Sequence, residues 1–200
     1  MVDFGVRAFA LSAALLLAGS AALPGGGPPP LDTYDLTAVS VQSSTPRRAR
    51  TQVLVAEPGA LKVLDGENIV IRPTAGSVEF LGGAQWADRL PRIVQARLVE
   101  ALQATGRLGG VGKPGEGLAI DYQIITEIRA FQIRLDGGDR AEVELFVKVL
   151  NDRNGTVRAA SSFSATAPVS GSGNAAFTAA LDQAFRSAAG KIVDWAIARM

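Results

Sequence analysis

The clearest signal in the chain is an alternation that changes phase. From Leu118 to Ala130 the even positions are apolar (Leu118, Ile120, Tyr122, Ile124, Ile128 and Ala130), while the odd ones include Asp121, Gln123, Glu127 and Arg129. Phe131, Ile133 and Leu135 then carry the apolar set on odd positions. Side chains in a strand alternate faces, so the switch requires an inserted residue, and a bulge or bend is predicted near Ala130. Asp136-Gly137-Gly138-Asp139 supplies a turn. Ala141, Val143, Leu145, Val147 and Val149 then alternate with Glu142, Glu144 and Lys148. After a turn at Asn151 to Gly155, Val157, Ala159, Phe163 and Ala165 alternate with Arg158, Ser162 and Ser164. The prediction is a three-stranded antiparallel meander with one dry and one wet face.

Helical spacing appears twice. Leu90, Val94, Leu98 and Leu102 recur every fourth residue between Asp88 and Thr105, with Asp88 placed as N-cap, Pro91 in the first turn and Gly106 as the stop. Phe177, Leu181, Ala184, Phe185, Ala188, Ile192 and Trp195 form a second stripe from Ala175 to about Arg199. Shorter strands are predicted at Tyr34–Thr37, Gln52–Ala56 (ended by Pro58-Gly59), Asn68–Arg72 and Gly76–Leu81 (backed by Gly82-Gly83). The last two are close enough to form a hairpin. A sheet with one dry face and two amphipathic helices bury one another. The expected fold class is therefore α+β, a two-layer mixed, mostly antiparallel sheet with both helices on one face.

The N-terminus reads as an address. Arg7 precedes an apolar run from Ala8 to Gly19 that is too short to span a bilayer, which takes about 20 residues, and has the size of a secretory signal core. Leu17-Ala18-Gly19-Ser20 matches a bacterial lipobox except at its last position, where the diacylglyceryl thioether needs a cysteine. With Ser20 as written the chain cannot be lipidated there, and membrane anchoring is expected only if position 20 is Cys in the native protein. Ala18-Gly19-Ser20 also suits an ordinary signal peptidase cutting before Ala21. Residues 21–31, AALPGGGPPPL, form a spacer, flexible at the glycines and extended at the prolines. The expected organisation is a signal peptide over 1–20, a tether over 21–31 and one domain over 32–200.

Composition then removes whole classes of chemistry. The 200 residues hold 20 Lys+Arg against 19 Asp+Glu, with no His and no Cys. That charge balance lacks the basic footprint of a nucleic-acid binder. Disulfides, thiolate catalysis, His-based acid–base work and the usual zinc or haem sites are all excluded. Gly110-Val111-Gly112-Lys113-Pro114-Gly115 matches G-x-G-x-x-G, but it follows a helix and precedes a strand, the reverse of a dinucleotide site, and reads as a flexible loop. Glu142 and Glu144 share one strand face, set across from Asp121 or Glu127. With Arg129 and Lys148 beside them they read as a solvated, ion-paired face rather than an acid–base pair. Ser161, Ser162 and Ser164 have no base to activate them. No catalytic, cofactor or metal residue is assigned.

Tyr34-Asp35-Leu36 behind a lipobox-like signal, Asn68–Arg72, Trp86-Ala87-Asp88-Arg89-Leu90-Pro91 opening a helix, and Leu98–Leu102 within it together resemble the ABC-type transport auxiliary lipoprotein family. The Asp152–Gly155 turn, Pro168-Val169 and a terminal helix ending near Trp195 agree, so the resemblance covers roughly residues 32–197. It implies a non-enzymatic periplasmic component, usually anchored in the outer membrane. It serves an ABC transporter with an MCE-family substrate-binding protein, moving phospholipid or sterol across the envelope. The implied partners are that protein and its transporter; lipid and a second copy of the chain (a homo-oligomer) stay open, and nucleic acid is not implied. The alternative is a periplasmic lipid-binding carrier with its ligand between helices and sheet. The candidate partner contacts are Phe131 and Leu135, near an exposed hairpin tip, although the bulge turns Phe131 toward the helices, and Trp86, for which core anchoring is the favoured reading.

Overall fold

The computed structural model describes residues 30–41 and 45–200; the expected signal segment, most of the spacer and Ser20 lie outside the described residues. In chain order the elements are β1 (Asp32–Tyr34), β2 (Arg48–Val55), β3 (Gly59–Ala60), β4 (Asn68–Arg72), β5 (Glu79–Trp86), α1 (Leu90–Ala104), β6 (Leu108–Gly112), β7 (Tyr122–Arg134), β8 (Arg140–Asn151), β9 (Thr156–Pro168) and α2 (Asn174–Arg199).

The strand with the shifting alternation, β7, organises the sheet. Along one edge it runs antiparallel to β8, which runs antiparallel to β9, so the expected meander is present. Along its other edge it receives three strands in succession, all parallel. β2 pairs at Tyr122–Ile124, β3 at Glu127–Ile128 and β4 at Gln132–Arg134. Outside these lie β6, parallel to β2, and β5, antiparallel to β4 as in the expected hairpin, with β1 parallel to β5. The result is an α+β fold on a mixed sheet, nine-stranded among the described residues, in which the β7–β8–β9 ladders are the longest.

The bulge lies where the phase change demands it. Ile128 pairs with Leu145 and Ala130 with Glu144, leaving Arg129 as the extra residue. Ile124, Ile128, Phe131 and Ile133 are consequently all buried, although they differ in parity. The alternate residues of β8 from Ala141 to Val149 are fully buried against the same layer. α2 lies over β8 and β9, and α1 lies beside α2 and over β2 and β6. One apolar cluster joins both helices to the sheet. The α2 stripe is buried from Leu181 to Ile192, with Phe177 and Trp195 half-buried at its ends.

Several local expectations are corrected. The N-cap of α1 is Arg89, not Asp88. Asp88 accepts a hydrogen bond from the next amide (2.6 Å) and pairs with Arg92, while the Leu90 amide is satisfied by the Gly66 carbonyl at 3.0 Å. The first half of the segment read as a flexible glycine loop, Gly110 to Gly112, belongs to the edge strand β6, and only Lys113 to Gly115 lie beyond it, at a turn. Glycine suits the strand because β2 passes so closely that a Cβ on Gly109 would collide with the Ala49 carbonyl oxygen. Gly82-Gly83 does not end a strand. It lies inside β5, where the pairing with β4 slips and Gly83 takes φ +73°. Leu118 to Asp121 precede the strand rather than belong to it, and Leu118 and Ile120 are only half-buried.

Candidate functional site

Phe131 is the centre of the aromatic core. Its ring meets Trp86 edge-on (centroids 5.7 Å apart, planes at 85°) and lies 6.0 Å from Phe185 of α2. Trp86 and Phe131 are 2% and 1% exposed, so neither offers surface to a partner. The bulge causes this: it returns Phe131 to the helix side, where β5 delivers Trp86 and α2 delivers Phe185. Leu135, just after β7, is partly buried against the same core.

The hairpin beyond Leu135 is polar. Arg134 pairs with Asp136, donating from Nε at 2.9 Å, and the Arg140 guanidinium donates to the Asp136 carbonyl at 2.7 Å. Behind the tip, Arg72 Nε donates to Gln132 Oε1 (2.6 Å), and Gln132 Nε2 donates to Glu142 Oε2 (2.9 Å), which also faces Arg134 at 3.6 Å. Arg134 holds the Asp136 carboxyl below its ordinary range by hydrogen bonding.

The outer face of the sheet carries Glu142 and Glu144 as an ion-paired surface, but their cross-strand neighbours are Gln132 and Ala130 rather than Asp121 or Glu127. The bulged Arg129 reaches across this face. It approaches Glu127 (3.5 Å) and Glu144 (3.9 Å), lies 4.1 Å over the Phe146 ring and donates to Ser162 Oγ of β9 at 3.3 Å. Lys148 approaches the Phe146 ring at 5.6 Å. Asp121 anchors the start of β7. Its carboxylate accepts from the Gln52 amide (2.9 Å) and from Arg153 Nε (3.0 Å). The Gln52 hydrogen bond, followed by Arg153 and opposed by burial, lowers its pKa. Both carboxyl shifts are downward, which favours permanent ionisation and is the opposite of what a general acid near neutral pH needs.

A cleft of about 370 Å³ opens at the start of α1, lined by Asp35, Glu57, Asp88, Arg92, Arg97 and Lys113, among others. Its charges are largely paired. Arg89 binds Asp65 and Glu57, and Arg97 binds Asp35 (2.6 Å) and Glu100 (2.7 Å). The hydrogen bond that Arg89 donates to Asp65 raises the Arg89 pKa, locking its charge. A second cleft, of about 280 Å³, gathers Arg50, Tyr122, Asn151 and Arg153 around Asp121. Both are polar and sit at the rim of the fold. The layer between helices and sheet is filled by fully buried Trp86, Phe131, Phe185, Ile124, Ile128 and Leu145. Among the described residues no group of three or more acidic, His or Cys side chains is placed to hold a metal. The sequence reading overlooked a half-buried aromatic pair at the edge of the sheet, Phe163 of β9 and Trp195 of α2, with centroids 5.3 Å apart. The two residues sit 32 positions apart on different elements, and each fits its own apolar stripe, so nothing local joins them.

This arrangement, two helices on one face of a sheet hinged on a bulged central strand, matches known proteins over most of the chain. The model of the ABC-type transport auxiliary lipoprotein component matches residues 34–193. The chain belongs to that family. The crystal structure of protein XCC0632 from Xanthomonas campestris superimposes with a TM-score of 0.77 at 26% identity, covering 84% of this chain and 95% of that one. A second crystal structure, of an uncharacterized protein, shares the fold at a TM-score of 0.66 and 16% identity, covering 82% of this chain and 97% of that one. Uncharacterized protein bll6063 of Bradyrhizobium diazoefficiens is 29% identical over 186 residues, which is 91% of this chain and 49% of that protein. The chain thus spans about half the length of this curated relative. Among the described residues no helix is long and apolar enough to cross a membrane.

Proposed function

We propose that this family member is a non-enzymatic envelope auxiliary component of an MCE-type ABC transporter, exported to the periplasm and serving the movement of phospholipid or sterol. The observation that carries the adaptor reading is the filled layer between helices and sheet. The side chains that would have to part for an acyl chain are instead packed against one another, Phe131 against Trp86 and Phe185 above all. A lipid carrier needs an apolar cavity of several hundred Å³ between helices and sheet, and the two rim clefts described above are lined largely by charged and polar groups. In this reading Phe131 and Trp86 serve as framework, and Leu135 is the remaining contact candidate at the hairpin.

The test is co-purification. A tagged full chain carrying Ser20→Cys is expressed in a bacterium that encodes the transporter, and membranes are solubilised gently. Recovery of an MCE-family protein with the ATPase subunits supports the adaptor. Recovery of the folded chain with stoichiometric lipid and no transporter subunit would overturn it in favour of the carrier.

A further inference from the structure

The rim cleft around Asp121 has its side-chain acceptors taken and its donors left over. Asp121 Oδ2 accepts from the Gln52 amide at 2.9 Å, and Oδ1 accepts from Arg153 through both Nε, at 3.0 Å, and Nη2. Asn151 Oδ1 accepts from the Arg153 amide at 3.0 Å, which leaves the Asn151 Nδ2 donor over. The Arg50 guanidinium, Arg153 Nη1, Asn151 Nδ2 and the hydroxyls of Thr51 and Tyr122 have no partner among the described residues. These groups come from distant parts of the chain and the ladders gather them. Val53 of β2 pairs with Tyr122 at the start of β7, and Tyr122 pairs with Asn151 at the end of β8.

The charge at this corner has the same sign. Elsewhere in the domain Arg89, Arg97, Arg129 and Arg134 each hold a carboxylate. Within the cleft Arg153 neutralises Asp121, so the charge of Arg50 is uncompensated. Arg47 and Arg48, just before it on the same stretch of chain, have no ion partner among the described residues either. Arg48 Nε is buried there without a hydrogen-bond partner. A desolvated cation without a counter-charge is a strong local source of positive potential, and it draws anions to the recess beside it.

We propose that this cleft is a phosphate-ester binding site, with Arg50 as its main charge contact and Thr51, Tyr122, Asn151 and Arg153 supplying the other donors. A phosphate group suits donors that converge from three elements, because its tetrahedral oxygens accept from several directions, whereas a carboxylate offers two oxygens in one plane. The recess of about 280 Å³ takes a phosphate with a short attached group such as glycerol and is too small for a folded segment of another protein. No aliphatic side chain lines it, so it reads the head of such a molecule and offers nothing to an acyl chain. A soluble phosphate ester and a phospholipid headgroup present this same chemistry. The site stands on its own donors and does not rest on the transport reading.

The probe is glycerol phosphate, titrated at constant ionic strength into the isotope-labelled full chain and followed by NMR. The amides of Thr51, Tyr122, Asn151 and Arg153 should shift saturably, and acetate at the same concentrations should leave them in place. Arg50 is exposed and has no partner to lose, so Arg50→Gln should weaken binding roughly tenfold or more with an unchanged thermal unfolding curve. Tyr122→Phe removes one hydroxyl and should weaken binding about threefold. Co-sedimentation with phosphatidylglycerol vesicles separates the two sources. Pelleting that Arg50→Gln abolishes supports the site as one for a lipid headgroup; saturable glycerol phosphate binding without pelleting supports it as one for a soluble ester. Three results would each overturn the proposal: no saturable shift at these amides, an equal response to acetate, or Arg50→Gln binding as tightly as the unmodified chain. None of the three bears on co-purification with a transporter, so this proposal and the adaptor reading fail separately.

Discussion

Truncating Phe131 to alanine separates a framework residue from a contact residue. The side chain is 1% exposed and touches two further rings, Trp86 at 5.7 Å and Phe185 at 6.0 Å, contributed by a strand and a helix far apart in sequence. Phe→Ala at a buried site costs about 3–5 kcal/mol, the transfer term plus the cavity left by partial relaxation. The upper half of that range applies, because both neighbours are large rings held by their own elements and cannot collapse into the gap. For a domain of this size about 2–4 °C of melting temperature goes with each kcal/mol, so a fall of roughly 8–20 °C is expected. The assay is urea unfolding followed by far-UV circular dichroism, with the m-value unchanged so that the midpoint shift reads as stability. Phe131→Leu keeps much of the volume and forfeits the two ring–ring contacts, about 1–3 kcal/mol together, and should fall between wild type and alanine. Leu135→Ala, at the partly buried end of the strand, should cost less than Phe131→Ala. If Phe131→Ala loses less than about 1 kcal/mol while transporter co-purification disappears, the ring is an interface residue and the packing argument is wrong.

Asp121→Asn should lower stability at neutral pH by about 1.5 kcal/mol, the lower end for a hydrogen bond to a charged group, since the Gln52 amide keeps an acceptor and Arg153 is largely exposed. Its carboxyl pKa is depressed in the folded state, so its contribution is present above the ordinary carboxylate range near ~4 and lost as pH falls through the lower folded value. The variant's stability should therefore vary less with pH below that range, and equal acid slopes in the two proteins would refute the assignment. Gly109→Ala drives a Cβ into the Ala49 carbonyl and should cost about 1–3 kcal/mol by thermal unfolding, whereas Gly59→Ala, with open space at its Cβ, should cost little through contact. Ser20→Cys should shift the protein from the soluble to the membrane fraction of a bacterial host, because three acyl chains each bury many methylenes worth ~0.8 kcal/mol apiece; a variant that stays soluble would refute the lipobox reading.

The dry and wet faces of β7, β8 and β9, their order and the bulge were legible because burial writes a period-two pattern and a phase change has few structural solutions. The helices were legible for the same reason at the longer period. What could not be read was the second edge of β7. Alternation reports which face of a strand is buried and says nothing about which strand lies beside it. The stacking of β2, β3 and β4 along one edge is therefore a non-local fact. The strand β6 was lost because its glycines carry no side chains to alternate, and the reason for them, the close passage of β2, exists only in three dimensions. The phase change also turns Phe131 toward the helices, and core anchoring was the favoured reading of Trp86; only the nearness of Phe131 to the exposed hairpin offered it as a contact. The hairpin tip is exposed, but the bulge returns the residue just before it to the core.

The bulge also decides where this domain can meet another. In a two-layer fold one sheet face has no helices over it, and here Phe146 of β8 stands on that face. Arg129 does not point away into solvent. It lies over the Phe146 ring, between Glu127 and Glu144, and reaches Ser162 on β9. An extra residue at that point gives the arginine this span, because it occupies a position with no cross-strand partner of its own. The aromatic is thereby covered by charge and the carboxylates are neutralised, so the open face is polar and internally paired. A partner gains little by desolvating such a surface, since it would have to replace ion pairs already made. The edge differs: on β9 the backbone groups that point away from β8 have no ladder partner among the described residues, and Phe163 and Trp195 stand half-buried beside them. By that reasoning the broad face of the sheet is a poor docking surface, and the unpaired backbone groups of β9 are not covered in the same way.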